Sequence, residues 1–296
     1  MNTISNSKLT VTASSHGAEL QSIRNSRGHE YLWQGDARFW GRRSPILFPI
    51  VGSLWQGRYR VGENEYELPR HGFARDMDFQ LVEKSKTRLV FELTETPDTL
   101  ALYPYRFGLR VGYELQASVV RVTWEVHNRD SRRIYFSVGG HPAFRIPGCK
   151  KGKPVEGTLS LETTDNVLSP WWMEKAEIGQ QGCLREERNP LDTDADARLH
   201  FNEETFSHDA LVIDRSQLRS VSILTAAGRP VVKVSFETPA VGIWKPYGTN
   251  APFVCIEPWY GVADRIGFDG QLKEKYLINA LQPGGTFQGG YTMTFM

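Results

Sequence analysis

The sequence predicts an all-β protein, a large antiparallel β-sandwich that forms one domain over residues 1–296. Three observations predict it. Apolar and polar residues alternate with period two in several long runs, the signature of strands with one buried and one solvated face. No stretch carries a long 3.6-residue amphipathic pattern. The 27 glycines and 16 prolines punctuate the whole chain, with no Ser/Gly linker, composition shift or fixed-period repeat to divide it.

Residues 88–95, RLVFELTE, show the alternating rhythm first. In 109–116, LRVGYELQ, the apolar Leu109, Val111, Tyr113 and Leu115 alternate with Arg110, Gly112, Glu114 and Gln116. In 120–127, VRVTWEVH, Val120, Val122, Trp124 and Val126 do the same. The short link Ala117-Ser118-Val119 makes these two runs an antiparallel hairpin. VVKVSFET at 231–238 repeats the pattern. The best helical candidate is a short piece at 37–42, ARFWGR, after a possible cap at Asp36. Residues 148–200, rich in charges and turn formers, read as long loops and excursions from the sheets.

Charge is balanced, with 35 Lys+Arg against 34 Asp+Glu and a net charge of +1, so bulk electrostatics favour neither nucleic acid nor an anionic membrane. The most hydrophobic window, SPILFPIVGSLW at 44–55, is too short and too broken by proline and glycine to span a bilayer. The start, MNTISNSKLTV, lacks the basic-then-apolar pattern of a secretory signal. Cys149, Cys183 and Cys255 are far apart and not in CxxC pairs, which argues against a disulfide scaffold or a zinc site and fits a reducing cytoplasm. The expectation is a soluble cytoplasmic protein without a metal.

Polar residues set in apolar, turn-rich sequence mark the candidate site. GGHPAF (139–144) holds His141 between two glycines and a proline, after the strand-like RIYFSV. Glycine permits close approach and proline restricts its neighbour, so the turn is stiff and the imidazole is either incidental or aimed. LPRHGFARDMDF (68–79) carries His71; IEPWYG (256–261) carries Glu257 beside Trp259 and Tyr260; RRSPILFPIVG (42–52) opens with Arg42 and Arg43; SHDALVID (207–214) carries His208 and Asp209. Taken singly, each has a plainer reading as scaffold, rim charge or Asx turn. The acidic DTDAD (192–196) lacks the glycine and terminal glutamate of a calcium loop. Aromatic faces beside a carboxylate suit a sugar ring, whose C–H faces are apolar and whose hydroxyls need polar partners.

In order, AELQSI, EYLWQGD, FWGRRSPILFPIVG, HGFARDMDF, GGHPAF, HDALVI and IEPWYG resemble the aldose 1-epimerase (galactose mutarotase-like) superfamily, in particular its LacX-like bacterial branch. The likeness runs from about Ala18 to the C-terminus. It implies a large β-sandwich and a metal-free, cofactor-free interconversion of the α and β anomers of a hexose. It also implies Glu257 as base, His141 as acid, and His71, Arg43 and Asp209 as sugar-binding residues, with Arg42 the close competitor of Arg43.

Anomers interconvert by opening the ring at C1–O5, turning the aldehyde and closing on its other face. One base at the C1 hydroxyl and one acid at O5 suffice. The expected partner is thus a monosaccharide, and nothing in the sequence sets an oligomeric state. Two other functions share the sandwich: a hexose-6-phosphate 1-epimerase, which needs extra cations for its phosphate, and a non-catalytic sugar-binding module. A glycosidase would need a second carboxylate, for which Asp209 is the available companion of Glu257.

Overall fold

The computed structural model describes residues 1–150, 152–164 and 174–296. Two large antiparallel sheets dominate, one of nine strands and one of eight, with a three-stranded sheet and two two-stranded ribbons beside them. Third and fourth from one edge of the larger sheet is the expected hairpin, Phe107–Gln116 with Val119–Asn128. Ala117 takes a left-handed φ of 51° at its turn. Thr286–Phe295 pairs with the far side of Val119–Asn128, and Arg88–Thr94 pairs with Phe107–Gln116.

The smaller sheet is built around Phe253–Tyr260, which pairs with Ala240–Trp244 on one side. On its other side lie two short strands in succession, Val138–Gly140 and Ala143–Arg145. The two sheets share one core. Val120, Val122, Trp124 and Val126 from the large sheet join Ile213, Ile243, Val254 and Ile256 from the smaller one, all at most 1% exposed. Burying a side chain of this size is worth about 1.5–3 kcal/mol relative to leaving it in water, so this alternating set is what fixes the strand faces.

Two local expectations differ from the structure. Residues 37–42 form a turn, in which the Asp36 carbonyl accepts from the N–H groups of Phe39 and Trp40, rather than a helix. Among the described residues the α-helix is Pro97–Leu102, started by a capping box between Thr96 and Thr99 with proline at its first position. Residues 148–200 also contain more structure than loops: Gly157–Thr163, Glu174–Ile178, Leu184–Pro190 and Arg198–Phe201 are strands. They lie toward the sheet edges, and edge strands carry charged residues that obscure the alternation in sequence.

Candidate active site

Strand Phe253–Tyr260 is buried on both faces. Val254 and Ile256 face the sandwich core, while Phe253, Cys255, Glu257 and Trp259 face the other way. On that second face Glu257, 1% exposed, shares a cavity with residues outside strands such as Trp40, His71 and Ala263.

His141 reaches Glu257 through strand register. Gly139 lies opposite Trp259 and Ala143 opposite Cys255, so the bend between the two short strands sets His141 across from Glu257. The glycines before it are required by packing, not by unusual φ. A Cβ on Gly139 would sit 2.7 Å from Cδ1 of Trp259, and one on Gly140 would sit 2.9 Å from the Tyr291 hydroxyl. His141 donates its backbone N–H to the Pro45 carbonyl (3.1 Å), and Ala143 donates to the Arg43 carbonyl (2.9 Å). The turn therefore has few degrees of freedom left.

The imidazole Nε2 of His141 lies 3.2 Å from Oε2 of Glu257. The alignment falls short of a hydrogen bond and leaves Oε2 of Glu257 buried without a partner; Nδ1 of His141, on the other side of the ring, is also buried without one. Trp40 stacks on the imidazole (ring centroids 4.8 Å apart, 28° between planes). Trp244 and His71 meet it edge-on, each at 5.5 Å.

His71 adopts a left-handed φ of 69°, a conformation held by two contacts with Gly52. His71 N–H donates to the Gly52 carbonyl (2.8 Å), and the Gly52 N–H donates to Nδ1 of the His71 ring (3.1 Å). Accepting at Nδ1 leaves the proton of the neutral ring on Nε2. The following Gly72 also has φ 69°, and a Cβ there would lie 2.3 Å from the Phe48 carbonyl oxygen. The HG of this motif is thus a backbone requirement as well as a placement of the ring.

These residues enclose a cavity of about 140 Å³ lined by Trp40, Arg70, His71, Arg75, His141, Trp244, Glu257 and Trp259, with Gly52, Gly182, Ala210, Val212 and Ala263 filling between them. A larger groove of about 790 Å³ lies over the outer, charged side chains of the nine-stranded sheet, such as Arg121, Glu125 and Lys233. It has no histidine and no buried acid–base pair, so the smaller cavity is the site of interest.

Burial sets the electrostatics. It pushes the Glu257 carboxyl well above the usual carboxylate value; Arg70 opposes this, and the charge of Asp209 adds to it. Burial also pushes His141 well below the usual histidine value, helped by the positive charges of Arg70, Arg75 and Arg42. His71 is lowered in the same way, first by burial and then by His141 and the same arginines. Desolvation favours an uncharged carboxyl beside an uncharged imidazole.

The expected residues are not all gathered here. Glu257, His141 and His71 line the cavity. Arg43 does not: its guanidinium turns away to the side-chain oxygen of Gln21, and its backbone N–H donates to Glu19 (2.8 Å). Arg42 is not a lining residue either, because Asp76 holds it at 2.8 Å, although its charge acts on both histidines. The lining arginines are Arg70 and Arg75, which flank His71 in PRHGFAR. Asp209, at a left-handed φ of 73°, lies at the edge and accepts from Nη2 of Arg70 at 2.9 Å. Trp259 faces the cavity as the sequence suggests, whereas Tyr260 packs on Trp124 and Phe287. Strand alternation makes that division unavoidable.

Among the described residues, no helix is long and apolar enough to cross a membrane. The aldose 1-epimerase family profile matches residues 1–278. The plasmid-encoded protein LacX of Lactococcus lactis subsp. lactis is 31% identical over 99% of this chain and 98% of its own. A galactose mutarotase related enzyme from Lactobacillus acidophilus has a similar structure, with a TM-score of 0.88 and 34% identity over 99% of this chain and 96% of its own. A galactose mutarotase-like protein from Lactobacillus casei superposes with a TM-score of 0.93 at 29% identity, covering both chains fully. The chain belongs to the aldose 1-epimerase family.

Proposed function

We propose that the protein is an aldose 1-epimerase that interconverts the α and β anomers of a free hexose, using Glu257 and His141 as its acid–base pair. The observation that carries this reading is the 3.2 Å contact between the two side chains inside a cavity walled by three tryptophans.

The two side chains carry one exchangeable proton, on the carboxyl in the neutral form and on the imidazole in the ionised form. Burial favours the neutral form, and the close contact gives the ionised form, carboxylate beside imidazolium, a compensating attraction. When a pyranose enters, Oε2 of Glu257, which has no hydrogen-bond partner of its own, accepts the proton of the C1 hydroxyl. The imidazolium of His141 delivers its proton to O5 as the C1–O5 bond breaks. One proton leaves the sugar and one arrives, so charge balances. Ring closure on the other face of the aldehyde runs the same transfers backwards. No net proton is consumed, which suits a reversible isomerisation.

His71, with its ring proton on Nε2, donates to a sugar oxygen near the reacting centre. Arg70 holds negative charge on Glu257 and is itself oriented by Asp209. Trp40 and Trp244 supply apolar faces to the ring carbons. Arg43 is a positioning residue through its backbone carbonyl, which accepts from Ala143 two residues beyond His141.

A hexose 6-phosphate is the second reading, favoured by the arginines around the cavity. Against it, Arg70 is matched by Asp209 at 2.9 Å and Arg42 by Asp76 at 2.8 Å, so among the described residues Arg75, which shares Asp76 at 3.6 Å, is the one lining arginine left without a carboxylate of its own. Anomer exchange measured by NMR on a panel of free hexoses and their 6-phosphates tests both. Faster exchange of a free hexose supports the proposal; exchange of the phosphates alone selects the second reading, and exchange of neither removes both.

A further inference from the structure

The strand that presents Glu257 also presents Cys255 on the same face, two residues away. Cys255 is fully buried behind the cavity, in a cluster with Trp33, Ala143 and Phe253, and does not line the cavity. One donor atom each from His141, Cys255 and Glu257 lies within 4.8 Å of the others. Cysteine spacing along the chain gives no such signal, since register across the sheet, not sequence proximity, brings His141 to the other two.

We propose that these three side chains form an inhibitory binding site for a thiophilic divalent cation, Zn²⁺ in the first instance. An imidazole, a thiolate and a carboxylate are all ligands that Zn²⁺ takes, and three protein ligands with an open fourth position are a common arrangement. Ligand atoms around tetrahedral zinc are separated by roughly 3.4–3.7 Å, given bonds of about 2.0–2.3 Å. The three donors therefore need to close up by about 1 Å, which side-chain torsions supply. Two features beyond proximity point to a ligand. Oε2 of Glu257, a residue 1% exposed, is buried with no hydrogen-bond partner, and Nε2 of His141, 7% exposed, faces that oxygen at 3.2 Å without the alignment of a hydrogen bond. The fourth coordination position would face the cavity, the route by which the ion enters.

Binding displaces the thiol proton of Cys255 and the proton shared by Glu257 and His141, and these leave to solvent. With both catalytic lone pairs committed to the ion, neither group exchanges protons with a sugar. This inhibitory consequence rests on the proposed acid–base roles, whereas the binding itself does not.

The test uses the full chain carrying Cys149→Ser, which removes the exposed thiol as a competing site. Titration calorimetry with Zn²⁺, and Co²⁺ spectroscopy for the thiolate-to-metal charge-transfer band, read binding without reference to activity. One bound ion with a thiolate band is expected, and Cys255→Ala should weaken affinity more than about tenfold while retaining anomer exchange. Cys255→Ser, nearly isosteric, serves as the second variant if the alanine loosens the core. Absence of binding, or binding by Cys255→Ala and Cys255→Ser as tight as that of the parent chain, overturns the site. Binding that leaves anomer exchange unchanged overturns the inhibition. If no anomer exchange is seen even without metal, the epimerase reading has failed, and calorimetry and the cobalt band still decide the site.

Discussion

Arg70 links two carboxyl groups of the site: its guanidinium donates to Oδ2 of Asp209 at 2.9 Å, and its positive charge opposes the rise that burial imposes on Glu257. Asp209 orients this arginine while its own charge pushes the Glu257 carboxyl in the opposite direction.

Removing Arg70 should therefore matter more than removing Arg43. Hydrogen bonds to charged groups contribute about 1.5–3 kcal/mol, and the partial exposure of Arg70 argues for the low end. Arg70→Ala should reduce kcat/KM for a free hexose by about tenfold. Arg43→Ala, whose guanidinium engages Gln21, should keep near-normal kinetics because its backbone carbonyl contact survives. Steady-state polarimetry on both variants checks this; the reverse order would place Arg43 at the sugar.

Glycine at 139 is a packing requirement. Its Cβ would fall 2.7 Å from the Trp259 ring and 3.2 Å from the Pro258 carbonyl oxygen. Gly139→Ala should destabilise the fold by about 1–3 kcal/mol, the usual range for overpacking. It should also lower kcat, because the strand that shifts carries His141 against Glu257. Denaturant unfolding and kcat measured on the same sample test the two effects together.

Parts of the fold and of this site are legible in the sequence. The sandwich is, because alternation in 109–116 and 120–127 follows directly from one face being in the core. His141, His71 and Glu257 stand out as polar residues in stiff, apolar sequence. The direction in which Arg43 points does not, since the chain leaves no periodicity there and adjacent arginines differ only by register. Arg70 and Arg75 carry a signal that could have found them, as cations on either side of His71 in one turn. The grouping of Cys255 with His141 is a long-range register, invisible to spacing along the chain.

Trp40 covers the His141 imidazole from a turn rather than a strand. Aromatic pairs contribute about 0.5–1.5 kcal/mol beyond area burial. Trp40→Ala should then raise KM roughly two- to tenfold, with a smaller change in kcat. An unchanged KM in the same assay would take Trp40 out of the sugar contact.

The raised Glu257 carboxyl makes a prediction about stability and pH. Folding holds its proton to a higher pH than the unfolded chain does, starting from the ordinary value of 4.5. Its contribution is thus whole below 4.5 and is lost as pH rises through the folded value. Glutamine has no proton to lose, so Glu257→Gln should melt above the wild type at pH 8, with the difference closing by pH 4.5. Thermal melts across that range check the sign; a variant less stable at pH 8 than at pH 4.5, relative to wild type, would show that the carboxylate is well paired in the fold.

The most direct measurement is the anomer exchange rate of a good hexose substrate, by polarimetry or NMR exchange, in the wild type, Glu257→Gln, His141→Asn and the double variant. Each single substitution should slow exchange by about 10²–10⁴-fold. The double variant should be little slower than the worse single one, because the two side chains work as one proton-sharing unit. Near wild-type exchange in either folded single variant would contradict the account.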